Sequence, residues 1–151
     1  MKIAFRRMEP GDADRVHELE VQIFKDAWSR ESFIKDINNT DISYPFVVLA
    51  DSKIAGYAVI WYYADELHIG NIAIAPEYQR KGLGSRLLEY VLGNFDYYIA
   101  AYLEVRKSNI AAINLYRNFG FSEYYTRPSY YRDGEDALVM VKQNITQTVK
   151  E

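Results

Sequence analysis

The stretch Gln79–Ser85, with the sequence QRKGLGS, decides how this chain folds. It follows an apolar segment, Ile72–Pro76, and it opens an amphipathic run that reaches Phe95. Glycines let a backbone approach a ligand closely, and the first N–H groups of a helix point at negative charge. Arg80 and Lys81 add positive charge at the same place. The pattern therefore predicts a strand, a turn and a helix start that together bind a phosphate-bearing cofactor.

Composition narrows the class of protein. The chain has 151 residues, of which 49% are apolar, so it is long enough for one domain with a hydrophobic core. Its net charge is -3, and this disfavours direct binding to nucleic acid. It contains no cysteine, which excludes disulfides, thiolate metal sites and cysteine nucleophiles. It also lacks a signal peptide and an apolar run long enough to span a membrane, so we expect a cytoplasmic protein.

Hydrophobic periodicity predicts the element order β-α-α-β-β-β-α-β-α-β-β, an α/β (α+β) domain with a mixed, mostly antiparallel sheet. We expect the domain to cover residues 1–142 and a polar tail to cover 143–151. Asp12, Ser29 and either Ser108 or Asn109 are candidate helix caps, and Gly120 is a candidate helix stop. The predicted strands cover residues 3–8, 46–50, 54–63, 67–75, 99–105, 122–126 and 137–141.

Three blocks of sequence stand out at Gln79–Gly84, Leu103–Phe121 and Tyr130–Ala137. These blocks and the element order resemble the GNAT superfamily of acetyl-CoA-dependent N-acetyltransferases. Within it, the chain is similar to the ribosomal-protein-alanine N-acetyltransferases (RimI) and to the archaeal and NatA-type N-terminal acetyltransferases. The resemblance implies a central sheet of about seven strands with four helices. One departure is Ala27, where the RimI branch has proline before Trp28-Ser29.

The resemblance also implies a cofactor site for acetyl-CoA, without a metal. The backbone of Ile72 and Ile74 would pair with the pantetheine arm, and Asn109 would make a polar contact to the cofactor. The other interpretation of Asn109 is a plain helix cap, and the two roles are compatible. Tyr116 would approach the thioester sulfur; otherwise it is a core tyrosine. The residues implied at the pyrophosphate are Gln79, Arg80, Lys81, Gly82, Leu83, Gly84 and Ser85.

Glu104 is the candidate general base. Acyl transfer needs a neutral amine, and an α-amino group, with a pKa of roughly 7.7–8.0, loses its proton far more easily than lysine, near 10.4. One carboxylate, acting directly or through water, suffices for the α-amine. On the residues alone, an exposed strand-end glutamate paired with Arg106 is equally plausible, and the resemblance favours the base. His68 is a weaker rival.

Tandem tyrosines, Tyr130 and Tyr131, precede the last predicted strand and suit a slot that grips a peptide backbone. Phe24, Trp28 and Tyr131 would crowd the entrance and favour small first residues, such as Ala or Ser. The leading hypothesis is acetylation of protein N-termini, on a ribosomal protein or on nascent chains. The alternatives are a GNAT enzyme acting on lysine side chains or a small amine, and a non-catalytic acyl-CoA-binding module.

Overall fold

The structure, a computed structural model, describes residues 1–144 of the chain. Short 3-10 turns at Pro10–Asp12 and Pro76–Tyr78 precede two of its elements. The four helices are α1 (Ala13–Ile23), α2 (Arg30–Asn38), α3 (Leu83–Gly93) and α4 (Ile110–Asn118). The seven strands are β1 (Ile3–Arg7), β2 (Ser43–Ala50), β3 (Lys53–Tyr63), β4 (Glu66–Ile74), β5 (Ala100–Arg106), β6 (Ser122–Arg127) and β7 (Ala137–Gln143).

The strands form one sheet in the order β1-β2-β3-β4-β5-β7-β6. The β4–β5 ladder is parallel, whereas the β1–β2, β2–β3, β5–β7 and β6–β7 ladders are antiparallel. The expected fold class, a mixed and mostly antiparallel sheet with four helices, is confirmed.

The hairpins that join β2 to β3 and β3 to β4 turn through residues with left-handed backbones. Asp51 and Ser52 have φ of 49° and 71°, and Ala64 and Asp65 have φ of 53° and 63°. Two successive positive φ values match the right-handed twist of the flanking strands. Both connections match the short gaps between the predicted strands, which cover residues 46–50, 54–63 and 67–75.

Two compact units make up the chain. The first comprises Met1–Trp61 and Gly70–Phe95, and its core includes the fully buried Phe33 and Tyr57. The second comprises Tyr62–Ile69 and the described chain from Asp96 to residue 144. Its buried side chains include those of Leu103, Val105, Ile113, Phe121, Leu138 and Met140.

The structure confirms the predicted helix caps at Ser29 and Asn109 and the predicted helix stop at Gly120. Ser29 Oγ accepts a hydrogen bond from the Ser32 N–H, Asn109 Oδ1 accepts one from the Ala112 N–H, and Gly120 ends α4 with φ of 95°. Asp12 is the exception. Its carboxylate makes no capping bond to α1, because it instead accepts hydrogen bonds from the Arg6 guanidinium and the Glu9 N–H.

The end of the described chain differs from the expected polar tail. Gln143 is the last residue of β7 and pairs with Ala100, and the Asn144 N–H donates to the Ile99 carbonyl at 3.0 Å. The rest of the predicted tail, residues 145–151, lies outside the described residues. In residues 1–144, no helix has the length and hydropathy needed to cross a membrane.

Candidate active site

The predicted phosphate cradle lies in the first unit, between β4 and α3. Gln79 folds its side chain back on the strand, so that its Nε2 donates to the Ile74 carbonyl at 2.9 Å. The backbone then passes through Arg80, with φ of 64°, and Gly82, with φ of 80°, before α3 begins at Leu83. This path turns the chain sharply from the end of a strand into the start of a helix.

The conformation and exposure of the cradle fit a bound phosphate. A Cβ added to Gly82 would meet no atom within 4 Å, so the space above the helix start is open. The first N–H groups of α3 have no partner within the helix, and they carry its positive dipole end. Arg80 and Lys81 are exposed beside them. Leu83 differs, because its side chain is buried and only its backbone can serve a ligand.

Strand β4 continues past its ladder with β5. Within the described residues, the parallel register joins Glu66–Ile69 to Ala100–Leu103 and ends there. Ile72 and Ile74 lie further along β4, and both side chains are half-buried. The backbone that the resemblance assigns to the pantetheine arm therefore belongs to the part of β4 that extends beyond this ladder.

In the second unit, β5 separates an apolar face from a polar one. Its residues alternate along the strand, with Leu103 and Val105 buried and Glu104 exposed. The carboxylate of Glu104 lies 3.6 Å from Nε of Arg127, on β6, so its arginine neighbour differs from Arg106, the partner that the alternative interpretation suggested. Glu104 is thus an exposed carboxylate with a cationic neighbour.

Arg106 forms ion pairs with acidic residues of the loop before β7. Its guanidinium donates to Asp133 at 3.0 Å and to Glu135 at 2.9 Å, both in the loop before β7. The same guanidinium lies over the Tyr131 ring, 4.1 Å from the centroid. Burial raises the pKa of Tyr131 to about 12 in spite of this cation. The network fixes the loop that carries the two tyrosines.

The tandem tyrosines and the candidate base share this region of the second unit. The rings of Tyr130 and Tyr131 meet edge to face at 5.1 Å, and Arg127 lies 5.8 Å from the Tyr130 ring. Arg127 therefore contacts both Glu104 and Tyr130. The structure brings these predicted residues together and adds Arg127, which no motif in the sequence singled out.

Tyr116 and Asn109 lie on α4. Tyr116 is 7% exposed and packs edge to face on Phe121, and burial raises its pKa above the usual value for tyrosine. The Asn109 cap uses Oδ1, so the side chain still offers the donors of Nδ2 to a cofactor. His68, the rival base, stacks on Tyr102 and lies 3.3 Å from Glu66.

Phe24 and Trp28 lie in the first unit, in the segment between α1 and α2. Both side chains are half-buried against the core. The Trp28 indole stacks on that of Trp61, with ring centroids 5.8 Å apart and planes 10° apart, and it also contacts Phe33. Both aromatic side chains are therefore anchored on the core of the first unit, and two ring contacts fix Trp28.

No group of three or more His, Cys, Asp or Glu side chains in residues 1–144 is arranged to hold a metal ion.

Comparison with known proteins identifies a family. The model of the acetyltransferase (GNAT) family matches residues 13–121. The chain is 38% identical over 142 residues to a putative [ribosomal protein bS18]-alanine N-acetyltransferase of Bacillus subtilis, covering 92% of this chain and 94% of that protein. It is 36% identical over 138 residues to the [ribosomal protein bS18]-alanine N-acetyltransferase of Escherichia coli K12, covering 88% and 92%.

A solved structure supports the same family. The crystal structure of the ribosomal-protein-S18-alanine N-acetyltransferase from Escherichia coli matches with a TM-score of 0.87 and 33% identity. The match covers 94% of each chain.

Proposed function

Because this chain belongs to the acetyltransferase (GNAT) family, we propose that it acetylates the α-amines of protein N-termini. The chain is an acetyl-CoA-dependent N-acetyltransferase, and the peptide acceptor is the part that we propose. By similarity to the two relatives, the acceptor is the N-terminal residue of a ribosomal protein.

Residues of the cradle would hold acetyl-CoA. The α3 N–H groups, with Arg80 and Lys81, would neutralise its pyrophosphate, and the extended end of β4 would pair with its pantetheine amides. Acetyl-CoA supplies an acetyl group activated as a thioester. The peptide amine attacks the thioester carbonyl carbon, the C–S bond breaks, and the amine gives up one proton while the thiolate takes one.

The observation that carries the proposal is the exposed carboxylate of Glu104 beside Tyr130 and Tyr131 in the second unit. An α-ammonium at pH 7 needs only about 1 kcal/mol to lose its proton, whereas a lysine needs several. A single carboxylate that accepts this proton, directly or through water, therefore suits a peptide N-terminus.

Tyr116 would assist the departing thiolate by donating a hydrogen bond to its sulfur. The thiol has a pKa near 8.5, below the value of about 10 for an ordinary tyrosine. Burial raises the pKa of Tyr116 further, so complete proton transfer from this hydroxyl to the thiolate is uphill. A neutral hydroxyl that keeps its proton is the better description of its role.

Arg106 would keep the peptide-gripping loop in place, since it joins Asp133 and Glu135 and stacks on Tyr131. In the first unit, Phe24 and Trp28 would press against the first side chain. Their bulk favours small first residues such as Ala or Ser.

The test is mass spectrometry on a peptide that begins with Ala and carries one internal Lys. We expect acetylation at the α-amine, because its lower pKa leaves more free amine. A matched peptide with a blocked N-terminus is the control and should stay unmodified. Modification chiefly at Lys in either peptide would overturn the proposal and favour a lysine acetyltransferase.

A further inference from the structure

One buried carboxylate has no part in the reaction described above. Glu20, on α1, is 1% exposed, and three donors converge on its two oxygens. The Tyr57 hydroxyl donates to Oε1 at 2.7 Å, Asn71 Nδ2 donates to Oε1 at 2.9 Å, and the Trp28 backbone N–H donates to Oε2 at 2.9 Å. A charge in a core is retained only where such partners compensate for its lost hydration.

These three donors come from three different segments of the first unit. Tyr57 lies on β3, Asn71 lies on β4 directly before Ile72, and Trp28 lies in the segment between α1 and α2. Glu20 therefore ties the backbone of that segment, residues 24–29, to the strand assigned to the acyl cofactor.

The ring of Trp28 is held from the other side by Trp61. The indole N–H of Trp61 donates to Asp36 at 2.9 Å. Its six-membered ring occupies the space above Gly70, where an added Cβ would lie 2.6 Å from it. Trp28 stacks on this fixed indole while Glu20 fixes its backbone. Trp28 therefore cannot retreat without breaking one of these contacts.

We propose that Glu20 is a positioning residue that sets the size limit for the first residue of the substrate. It holds Trp28, and through it segment 24–29, so firmly that a large first side chain cannot displace them. This inference rests on the proposed function, because it takes a peptide N-terminus as the substrate. Without Glu20, the segment can move outward and larger first residues gain access.

The experiment compares kcat/KM for two peptides that differ only in a first residue of Ala or Leu. We expect Glu20→Ala to lower the Ala-to-Leu preference on the order of tenfold, the scale on which apolar contacts discriminate side-chain size. Glu20→Gln keeps the shape but offers one acceptor oxygen to three donors, so we expect an intermediate preference.

Asp12→Asn is the matched control. Asp12 is a buried carboxylate at the other end of α1, and its partners are Arg6 and Glu9 and not segment 24–29. The variant should lose stability while keeping the substrate preference of the parent. Far-UV circular dichroism at the assay temperature establishes that each variant is folded.

A second readout does not depend on activity. The chain has two tryptophans, Trp28 and Trp61, and they stack on each other. Their near-UV circular dichroism should change in both Glu20 variants and stay unchanged in Asp12→Asn. If the parent acetylates no peptide α-amine, the proposed function fails, yet this spectrum still tests whether Glu20 holds Trp28.

An unchanged preference in a folded Glu20 variant would overturn the inference, as would an equal loss of preference in Asp12→Asn. Should Glu20→Ala fail to fold, Glu20→Gln decides the matter. It must then lower the preference, and a preference equal to that of the parent contradicts the proposal.

Discussion

At the scale of single residues, Glu104 carries the most specific expectation. Its carboxylate is exposed on β5, with Nε of Arg127 at 3.6 Å, so it is accessible to an approaching ammonium. We expect Glu104→Gln to lower kcat/KM on the order of 100-fold near pH 7, the scale of one general base. The deficit should shrink as pH approaches the amine pKa, because free amine then forms without help. Rates measured from pH 6.5 to 9.5 check this.

Two comparisons separate a base from a residue that only positions the peptide. Glu123→Gln removes an exposed carboxylate from β6, which β7 separates from β5 in the sheet. Glu123 pairs with Arg117 at 2.7 Å, and its replacement should leave the rate unchanged. Acetyl-CoA affinity should also be unchanged in Glu104→Gln. A deficit that stays constant or widens toward alkaline pH would show that Glu104 orients the peptide without taking its proton.

At the scale of elements, the turn from β4 into α3 depends on Gly82. Its φ of 80° is one that residues with a Cβ rarely adopt, although the space around it is open. Gly82→Val should therefore distort the helix start and lower acetyl-CoA affinity by about tenfold or more, since a β-branched residue tolerates this backbone poorly. Isothermal titration calorimetry with acetyl-CoA measures the loss.

Gly93→Ala is the control within the same helix. Gly93 is the last residue of α3, a Cβ there meets nothing within 4 Å, and its φ is not positive. This variant should bind acetyl-CoA as the parent does and be slightly more stable, because alanine has the higher helix propensity. If the parent and Gly82→Val bind acetyl-CoA with equal affinity, the turn from β4 into α3 is not part of the cofactor site.

The elements that sequence predicts well are those with local causes. Ser29 and Asn109 cap helices through atoms three residues away, and Gly120 ends α4, so nearby residues suffice to find them. Asp12 has the same local pattern, yet Arg6 on the preceding strand captures its carboxylate. Whether a cap forms there depends on a competing charge that periodicity does not reveal.

The candidate site also contains residues that the sequence identifies and contacts that only tertiary folding creates. Motif positions such as Glu104 and Tyr131 stand out in the sequence and lie in one region of the second unit. The partner of Glu104 could not be found, because Arg127 lies 23 positions away and is brought near by the register of β5, β7 and β6. The sequence does not reveal the role of Glu20 either, because only tertiary folding brings three donors to its carboxylate.

At the scale of the whole molecule, its 14 tyrosines make stability sensitive to alkaline pH. Burial, aided by the negative charge of Glu20, raises the pKa of Tyr57, and burial also raises those of Tyr116 and Tyr131. A raised pKa in the folded state means that the neutral phenol favours folding. Its contribution is complete below the unfolded value near 10 and is lost as pH rises through the folded value.

We therefore expect the free energy of unfolding to fall above pH 10, by about 1.4 kcal/mol per pH unit for each tyrosine that ionises only on unfolding. Denaturant titrations at pH 8, 9, 10 and 11 measure this slope, and absorbance at 295 nm follows ionisation. Tyr57→Phe should make the decline shallower, whereas Tyr124→Phe, at an exposed position, should not. Tyrosines that all titrate near pH 10 while the protein keeps its stability would contradict the buried environments of Tyr57 and Tyr116.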